Sequence, residues 1–215
     1  NDRDPKAALL LLNTHKDELS SQPLTSQVNY FRIQSTAYSD QALYSLSAAS
    51  AEQGLKLAKQ MNNPSIFIAE LAYIKGFSLE SLGDFDGAFQ FYQNGLDVAR
   101  SMTNQKLTAR GLINIGAIYY LRKNYKQSLI TLNYALTLAN EIADEALLGD
   151  ISSELGILYG YLGEQQQAND YFQQSYQHFK NAGKHNYALN SLHNVAINHA
   201  NQNNYEQAIS VYRLL

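Results

Sequence analysis

One residue pattern returns along this chain every forty residues, and it limits the possible folds more than any other feature. A small residue marks each copy, at Gly76, Gly116, Gly156 and Ala196. A second small residue follows twelve positions later in each copy, at Ala88, Ser128, Ala168 and Ala208. Self-similarity at a period of this size is typical of stacked helical units. The length of 215 residues therefore counts repeats rather than globular domains.

Helix boundaries are marked at regular intervals from residue 64 onward. Gly83, Lys123, Gly163 and Asn203 stand where a left-handed helix exit is expected, and Asp84, Asn124 and Asn204 follow as N-cap residues. The pattern predicts first helices over 64–82, 104–122, 144–162 and 184–202. It predicts second helices over 84–102, 124–142, 164–181 and from 204 onward.

Residues 1–63 show the same helical pairing in a degenerate form. Asp4-Pro5 combines an N-cap acceptor with a proline at the first helical position, which predicts a helix that runs to about Leu19. Two further helices are expected over 25–39 and 41–61. We therefore divide one continuous solenoid into degenerate helices over 1–63 and four repeats over 64–215, of which the last is truncated.

The repeated small residues predict how the helices pack. Glycine inside a helix costs about 0.5–1 kcal/mol relative to alanine, so its repetition implies a compensating close approach of the partner helix. Two residues depart from the repeat. Gln165 replaces an aromatic residue, and Lys75 stands where later repeats carry Ile115, Leu155 and Val195. These departures predict looser packing in the first and third repeats, or a Lys75 stem that lies along the core with its ammonium group outside.

Composition removes several functional classes. A chain without cysteine has no disulfide, no thiolate metal site and no cysteine nucleophile. The net charge of −3 and the lack of a Lys/Arg cluster argue against a nucleic-acid surface. The longest apolar run, over 7–12, is far shorter than the roughly 18 residues of a membrane span. We expect no nucleic-acid partner and no membrane insertion by this segment.

The five histidines are the remaining candidates for a metal or catalytic site. No two of them are three or four residues apart, which is the helical spacing that brings two ligands together. The chain contains no P-loop, nucleotide-binding glycine motif or nucleophile elbow. We therefore expect no catalytic residue, no metal and no cofactor. His199 occupies the position of Tyr119 and Tyr159, so we predict a packing role with one hydrogen bond.

Four features of the pattern together resemble the tetratricopeptide repeat. They are the small residue, the tyrosine three positions later, the Gly or Asn at the turn and the aromatic residue two positions after it. The resemblance covers 64–215 clearly and 5–63 weakly. The usual period of that family is about 34 residues, so the longer period here is expected to lengthen both helices. The resemblance implies an all-α fold, a right-handed superhelical solenoid of antiparallel helix pairs with about eleven helices. A generic array of helical hairpins is the alternative.

Tetratricopeptide proteins generally bind peptides or protein partners in a concave groove lined by the first helices, and they perform no chemistry there. The resemblance therefore implies a groove formed by Tyr73, Phe77, Arg110, Asn114, Tyr120, Asp150, Glu154, Tyr161, His193 and Asn194. Aromatic anchors among hydrogen-bonding groups are usual in peptide-binding surfaces. Packing of Tyr73, Phe77 and Tyr120 between neighbouring first helices is the alternative.

Some tetratricopeptide domains hold a peptide carboxylate with a clamp of Lys, Asn, Asn, Lys and Arg. Asn114 matches one clamp position, but Tyr73, Phe77, Asp150 and Glu154 occupy the other places. Two acidic residues repel a carboxylate, so we expect a ligand with a cationic group near Asp150 and Glu154 instead.

The chain also resembles the extracytoplasmic sensor regions of bacterial diguanylate cyclases and histidine kinases. The features that carry this resemblance are the forty-residue repeats, the 20 Asn and 18 Gln residues, and the opening Asp-Pro-Lys-Ala-Ala-Leu-Leu-Leu-Leu. This resemblance implies a periplasmic sensory module of a membrane-anchored signalling protein. A cytoplasmic adaptor or peptide-responsive regulator is the alternative. Apolar residues at the end, Val211, Leu214 and Leu215, predict that more chain follows, and a homodimer through the C-terminal helix is a further possibility.

Overall fold

The fold of the chain is all-α. A computed structural model describes residues 4–61 and 65–213, and these residues form eleven α-helices and one 3-10 helix, with no β-strand among them. The helices are α1 (Pro5–Thr14), the 3-10 helix (Lys16–Ser21), α2 (Leu24–Asp40), α3 (Tyr44–Ala58), α4 (Ser65–Ser81), α5 (Phe85–Ser101), α6 (Gln105–Leu121), α7 (Tyr125–Glu141), α8 (Glu145–Leu162), α9 (Gln165–Asn181), α10 (His185–Asn201) and α11 (Tyr205–Tyr212). None of the helices in the described part is long and apolar enough to cross a membrane. The predicted all-α fold is confirmed.

The forty-residue period consists of two helices and two short turns. Helices α4, α5, α6, α7, α9 and α10 each contain 17 residues, and three residues separate most neighbours. One residue of each turn within a repeat adopts a left-handed conformation, as predicted, with φ between 60° and 85° at Gly83, Lys123, Gly163 and Asn203. Two 17-residue helices and two three-residue turns add up to the observed period.

Side-chain caps begin several of these helices. The Asp84 carboxylate accepts a hydrogen bond from the Gly87 amide at 2.9 Å, and Asp144 accepts one from Leu147 at 3.0 Å. Asn204 occupies the N-cap position of α11, but its side chain makes no capping hydrogen bond, so that part of the prediction is wrong.

The N-terminal helices differ from the predicted boundaries. Asp4 caps α1 as predicted, accepting hydrogen bonds from the amides of Lys6 and Ala7. The α-helix ends at Thr14 rather than near Leu19, because the backbone leaves the helical region at His15 and continues as the 3-10 helix. Helix α3 begins at Tyr44 rather than at residue 41, because Ala42 adopts a left-handed conformation with φ of 57°.

Helix packing groups the chain into two compact units. Unit 1 comprises residues up to Asn114, and unit 2 comprises residues from Ile115 onward. In unit 1, α1 packs on α2, and α2, α3, α4 and α5 pack in sequence, with an additional contact between α2 and α4. In unit 2, α7, α8, α9, α10 and α11 pack in sequence. Each helix therefore contacts mainly its neighbours in the chain, as expected for a stack of repeats.

The repeated glycines make room for a large side chain from the second helix of the same repeat. A Cβ atom built at Gly76 would lie 2.5 Å from the ring of Tyr92. A Cβ atom at Gly116 would lie 2.7 Å from Leu132, and one at Gly156 would lie 2.6 Å from the ring of Phe172. Close approach at these glycines is confirmed, but its main partner is the large residue sixteen positions later rather than the small residue twelve positions later. We call each such contact a glycine socket.

The small residue of the second helix has a separate role in two repeats. The Ser128 hydroxyl donates a buried hydrogen bond to the Gly116 carbonyl at 2.8 Å. In the N-terminal pair, Ser47 donates in the same way to the carbonyl of Ser35 at 2.9 Å, across the same separation of twelve residues. Helices α2 and α3 thus reproduce the contact of the regular repeats, with Ser35 in the glycine position.

Lys75 adopts the second of the two predicted arrangements, in which its stem lies along the core. Only 16% of its side chain is exposed, and its ammonium group pairs with Glu52 of α3. The same ammonium lies 4.1 Å from the centroid of the Phe91 ring, which adds a cation–π contact. The hydrogen bond from Lys75 lowers the pKa of Glu52 below its usual value. The stem lies in the core and the charge is neutralised at its edge.

Candidate functional site

The structure brings three of the predicted groove residues together in unit 2. They are Tyr120 near the end of α6, and Glu154 and Tyr161 on α8. Tyr125, the first residue of α7, completes the group by contacting Tyr161. We call these four residues the tyrosine cluster. Its members come from three consecutive helices, so the turn between α6 and α7 and the packing of α8 determine its shape.

Three rings in the tyrosine cluster stack on one another. The Tyr120 and Tyr161 ring centroids are 5.4 Å apart with an interplanar angle of 29°, and those of Tyr125 and Tyr161 are 6.3 Å apart at 22°. These separations lie within the range of favourable aromatic pairs. Tyr120 is 7% exposed, whereas Tyr161 is 53% exposed. A buried ring and a half-buried ring therefore hold a third ring at the protein surface.

A carboxylate supports the buried end of the cluster. The Tyr120 hydroxyl donates a hydrogen bond to Glu154 Oε2 at 2.7 Å, a length typical of a hydroxyl bound to a carboxylate. Glu154 is partly exposed. A carboxylate has about four acceptor positions, and the Tyr120 hydroxyl occupies one of them on Glu154.

The exposed face of α8 continues the cluster in both directions. Asp150, Glu154, Ile157 and Tyr161 are separated by four, three and four residues, so they lie on one face of the helix. All four are at least partly exposed. Neither α8 nor α10 contains a lysine or an arginine. This stripe is therefore negative at one end and aromatic at the other, with no cationic side chain on either helix.

The other predicted residues of unit 2 lie on α10. His193 is exposed, and its ring centroid is 5.7 Å from that of Tyr212 on α11. Asn194 is partly exposed beside it in sequence. These two residues offer hydrogen-bonding groups on the next first helix along the chain.

In unit 1, Tyr73 takes the packing role that was the alternative in the sequence analysis. It is 5% exposed, its ring fills the space left by Gly95 and Gly111, and its hydroxyl donates to the Leu107 carbonyl at 2.9 Å. Burial raises the pKa of Tyr73 far above its usual value. These contacts place Tyr73 in the core, where a ligand would have to displace several helices to reach it.

The remaining predicted residues of unit 1 are accessible. Phe77 is 45% exposed and forms a T-shaped pair with Tyr44 at a centroid distance of 6.0 Å. Arg110 is exposed and Asn114 is partly exposed, both on α6. Their exposed groups are an aromatic ring, a guanidinium group and an amide.

Sequence reasoning missed Tyr125 as a member of the cluster. The sequence analysis treated the aromatic residue at this position only as part of the repeat pattern. In the structure Tyr125 is only partly buried, and it stacks on a tyrosine of the following repeat. The available signal was the presence of both Tyr125 and Tyr161. A tyrosine is unusual at the position of Tyr161, because the other repeats carry Ser81, Leu121 and Asn201 there.

The histidines form no metal site in the described part of the chain, where no three His, Asp or Glu side chains are placed to hold a metal. His178 contacts the carboxylate of Glu145 at 2.9 Å, and hydrogen bonds from His178 and Asn181 lower the pKa of Glu145. The Nδ1 atom of His199 is buried and has no hydrogen-bond partner among the described residues. The hydrogen bond predicted for His199 is therefore absent at that atom.

A cavity of about 380 Å³ lies outside the predicted groove, between α1 and α2. Its walls include Pro5, Ala8 and Ile33, and Asp4 and Asp40 stand among the lining residues. No sequence pattern predicted this cavity, because the same apolar residues fit an ordinary packed helix pair.

Comparison with known proteins supports the repeat assignment. Residues 107–181 match the family model described as tetratricopeptide repeat. No curated protein matches the chain in amino-acid sequence. The family model confirms the predicted tetratricopeptide repeat over residues 107–181, whereas the resemblance to sensor regions of diguanylate cyclases stays a prediction.

Three solved structures illustrate the similarity of fold. The Rap conjugation gene regulator of the plasmid pLS20 in complex with the Phr* peptide is 14% identical, with a TM-score of 0.80 over 100% of this chain and 64% of that chain. NprR in complex with its cognate peptide NprX is 21% identical, with a TM-score of 0.78 over 97% of this chain and 60% of that chain. BtubC (BKLC) from P. vanneervenii is 12% identical, with a TM-score of 0.70 over 98% of this chain and 87% of that chain. At these identities the similarity shows the fold alone, and the chain spans less than two thirds of the first two proteins.

Proposed function

We propose that this chain is a non-catalytic tetratricopeptide module that binds a peptide or a protein segment at the tyrosine cluster. The observation that carries the proposal is the Tyr161 ring, which is 53% exposed and yet held by stacking on two other tyrosines. An exposed aromatic ring that is already ordered loses little side-chain entropy on binding. Such rings are common anchors in protein interfaces.

The chemistry of the cluster favours binding rather than catalysis. The Tyr120 hydroxyl donates a hydrogen bond to Glu154, and the four residues of the cluster include no serine, threonine, histidine or lysine. The cluster offers a ring face, a carboxylate and the apolar Ile157. These groups complement the side chains of a peptide.

Two of the structurally similar proteins support this role. The Rap regulator of plasmid pLS20 and NprR were both solved with a bound peptide. They share the fold of this chain at low identity, so they support the class of ligand and not its sequence.

Two cellular settings are compatible with peptide binding. We propose that the module is the periplasmic sensory region of a membrane-anchored signalling protein, for which the amide-rich composition is the support. A cytoplasmic peptide-responsive regulator is the second candidate, favoured by the two peptide-bound structures. Protease treatment of intact spheroplasts separates the settings: a periplasmic module is cleaved before lysis, and a cytoplasmic one only after lysis.

The binding function is tested by selecting a library of random twelve-residue peptides on the purified chain. We expect enriched peptides, and we expect Tyr161→Ala to weaken their binding at least about tenfold, because an interface anchor is lost. Tyr134→Ala is the matched control, since Tyr134 lies on α7 and is 49% exposed. Failure to enrich any peptide would contradict the proposed function. Equal effects of the two substitutions would contradict the proposed site.

A further inference from the structure

We propose that the cavity between α1 and α2 binds a small primary amine that has an apolar body. The volume of the cavity, its apolar wall and the charge at one of its ends carry this proposal. The cavity lies in unit 1, outside the tyrosine cluster, so this second site is independent of the peptide-binding function proposed above.

The cavity is large enough for a small organic molecule. Its volume of about 380 Å³ falls within the range of roughly 300–1,000 Å³ that is usual for ligand sites. A water molecule takes up about 30 Å³ in the liquid, so the cavity has room for roughly a dozen groups of that size. The residues that line it are Asp4, Pro5, Ala8, Arg32, Ile33, Thr36, Ala37 and Asp40.

The wall of the cavity is mainly apolar. Pro5 and Ala8 contribute to it from α1, and Ile33 and Ala37 contribute from one face of α2. Ile33 is 42% exposed, so a ligand that covers it removes apolar surface from water. Each methylene group that a ligand buries here is expected to tighten binding about threefold.

Asp40 determines the charge of the ligand. It is the last residue of α2, and no basic residue lies in the last turn of this helix. The C-terminal end of a helix carries a partial negative charge, which disfavours a carboxylate and favours a cation. Asp40 is exposed, and its side chain makes no hydrogen bond or ion pair within the described part of the chain. An ammonium group bound here would offset both the carboxylate and the helix end.

Asp4 also lines the cavity, but the chain already compensates its charge. Asp4 Oδ1 accepts hydrogen bonds from the backbone amides of Lys6 and Ala7, at 2.9 and 3.1 Å. The N-terminal end of α1 is partly positive and favours this carboxylate. Asp40 is therefore the group to which we assign the ammonium of the ligand.

The cationic residue of the cavity lies away from Asp40. Arg32 precedes Asp40 by eight residues, which corresponds to about 12 Å along α2. Its Nε donates a hydrogen bond to Asn29 Oδ1 at 3.1 Å and lies 3.6 Å from Glu70 Oε2. An anionic ligand group at Arg32 would meet the Glu70 carboxylate, which repels it. The cavity thus favours a ligand that is cationic at one end and neutral at the other.

A series of simple amines tests this chemistry. Isothermal titration calorimetry of the full chain at pH 7 should show saturable binding of one hexylamine per chain at millimolar concentration or below. Butylamine should bind more weakly, because it buries fewer methylene groups. Hexanol has the same apolar body without the charge, so it should bind at least about threefold more weakly than hexylamine. Hexanoate should show no measurable binding.

A charge substitution tests the assignment of the ammonium site. Asp40→Asn should weaken hexylamine binding about three- to tenfold, because a hydrogen bond between charged groups is lost, and it should leave hexanol binding unchanged. Asp17→Asn is the matched control, since Asp17 is exposed on the 3-10 helix, does not line the cavity and undergoes the same change of charge.

A volume substitution tests the location of the apolar body. Ala8→Phe places a ring in the wall of the cavity and should weaken hexylamine binding at least about tenfold. Ala7→Phe is the matched control, since Ala7 is the preceding residue of α1, is exposed and does not line the cavity. Circular dichroism checks that all four variants keep the helical fold.

Three results would overturn the proposal. The first is the absence of binding by any of the amines at 10 mM, and the second is equal affinity for hexylamine and hexanol. The third is an equal effect of a cavity substitution and its matched control. Tyr161→Ala should leave hexylamine binding unchanged, because Tyr161 lies in unit 2. Loss of amine binding in that variant would contradict the independence of the two sites, whereas failure of the amine series leaves the peptide-binding function untouched.

Discussion

Units 1 and 2 contain the same glycine socket but surround it with different polar groups. In unit 1, Gly76 receives the ring of Tyr92, and in unit 2, Gly156 receives the ring of Phe172. The polar contacts beside the first socket involve charges. The Tyr92 hydroxyl donates to the Glu80 carboxylate at 2.7 Å, and Lys75 pairs with Glu52.

The buried polar contacts between α9 and α10, next to the second socket, are uncharged. The Asn198 amide donates to Asn169 Oδ1 at 2.7 Å and to the Gln165 carbonyl at 2.8 Å, and both asparagines are 5% exposed. The hydroxyls of Ser175 and Ser191 lie 2.8 Å apart in the core. The shape of the socket is therefore the shared requirement of the repeat, and the polar groups around it are interchangeable. The two units should respond alike to changes in the socket and differently to salt and pH.

The largest effect is expected from filling the sockets. Gly76→Ala and Gly156→Ala should each destabilise the fold by about 1–3 kcal/mol, because the added Cβ atom would lie within 2.6 Å of a ring. Gly160→Ala is the control on the same helix, since nothing lies within 4 Å of its Cβ position, and it should stabilise by about 0.5–1 kcal/mol. Urea unfolding measures all three. Unequal costs at Gly76 and Gly156 would show that the sockets are not equivalent.

An intermediate effect should distinguish the polar groups of the two units. Asn198→Leu removes the donor from two acceptors in the core of unit 2, which should cost about 1–3 kcal/mol. Lys75→Met keeps an apolar stem and leaves Glu52, which is 37% exposed, to be hydrated, so its cost should stay below about 1 kcal/mol. Urea unfolding at 0.1 M and 1 M NaCl provides the measurement. The loss in free energy of unfolding caused by Lys75→Met should be smaller at 1 M NaCl than at 0.1 M. An equally large decrease for Asn198→Leu would contradict the proposed difference between the two units.

The smallest effect is expected from pH. Burial raises the pKa of Glu80 above its ordinary value of 4.5, while the hydrogen bond from Tyr92 opposes this shift. A raised pKa in the fold means that ionisation of Glu80 destabilises the fold as the pH rises above 4.5. Glu80→Gln should therefore be more stable, relative to the natural chain, at pH 7 than at pH 4. Thermal unfolding at both pH values measures the difference.

Glu52 is expected to show the opposite pH dependence of stability, and it serves as an internal control. The Lys75 hydrogen bond lowers its pKa below 4.5, so its stabilisation is present above pH 4.5 and is lost as the pH falls through the lowered pKa. The cost of Lys75→Met should accordingly disappear in acid. An equal effect of Glu80→Gln at pH 4 and pH 7 would contradict the assignment of Glu80, and an unchanged cost of Lys75→Met at low pH would contradict that of Glu52.

The helices of the regular repeats were predictable because short-range chemistry determines them. Residues such as Gly83, Gly163 and Asp84 mark the turns and the caps, so the predicted boundaries differ from the structure by only a few residues. The same reasoning failed in α1, because the apolar period continues to Leu19 although the α-helix ends at Thr14. A hydrophobic pattern does not distinguish an α-helix from a following 3-10 turn.

The candidate site was predictable only in part, because its contacts join residues far apart in the chain. Helical register placed Glu154 and Tyr161 on one face of α8, but it contained no information on whether Tyr120 points into the core. Tyr73 and Tyr120 were equivalent candidates by residue type. Both are buried, but Tyr73 fills the space beside glycines 95 and 111, whereas Tyr120 stacks on the exposed Tyr161. The ion-pair partner of Lys75 could not be predicted for the same reason, since Glu52 lies on a different helix.

The left-handed turn residues also have a consequence for the growth of such proteins. The turns between the repeats contain the same left-handed conformation as the turns within the repeats, at Thr103, Ala143 and Gly183. A left-handed turn residue therefore appears every twenty residues from Gly83 to Asn203. Each helix thus leaves its turn with the same geometry as the helix before it. Duplication or deletion of forty residues by recombination within the gene joins two equivalent turns and leaves the helix pair within each remaining repeat intact. A chain built in this way changes the number of its repeats without having to redesign any one of them.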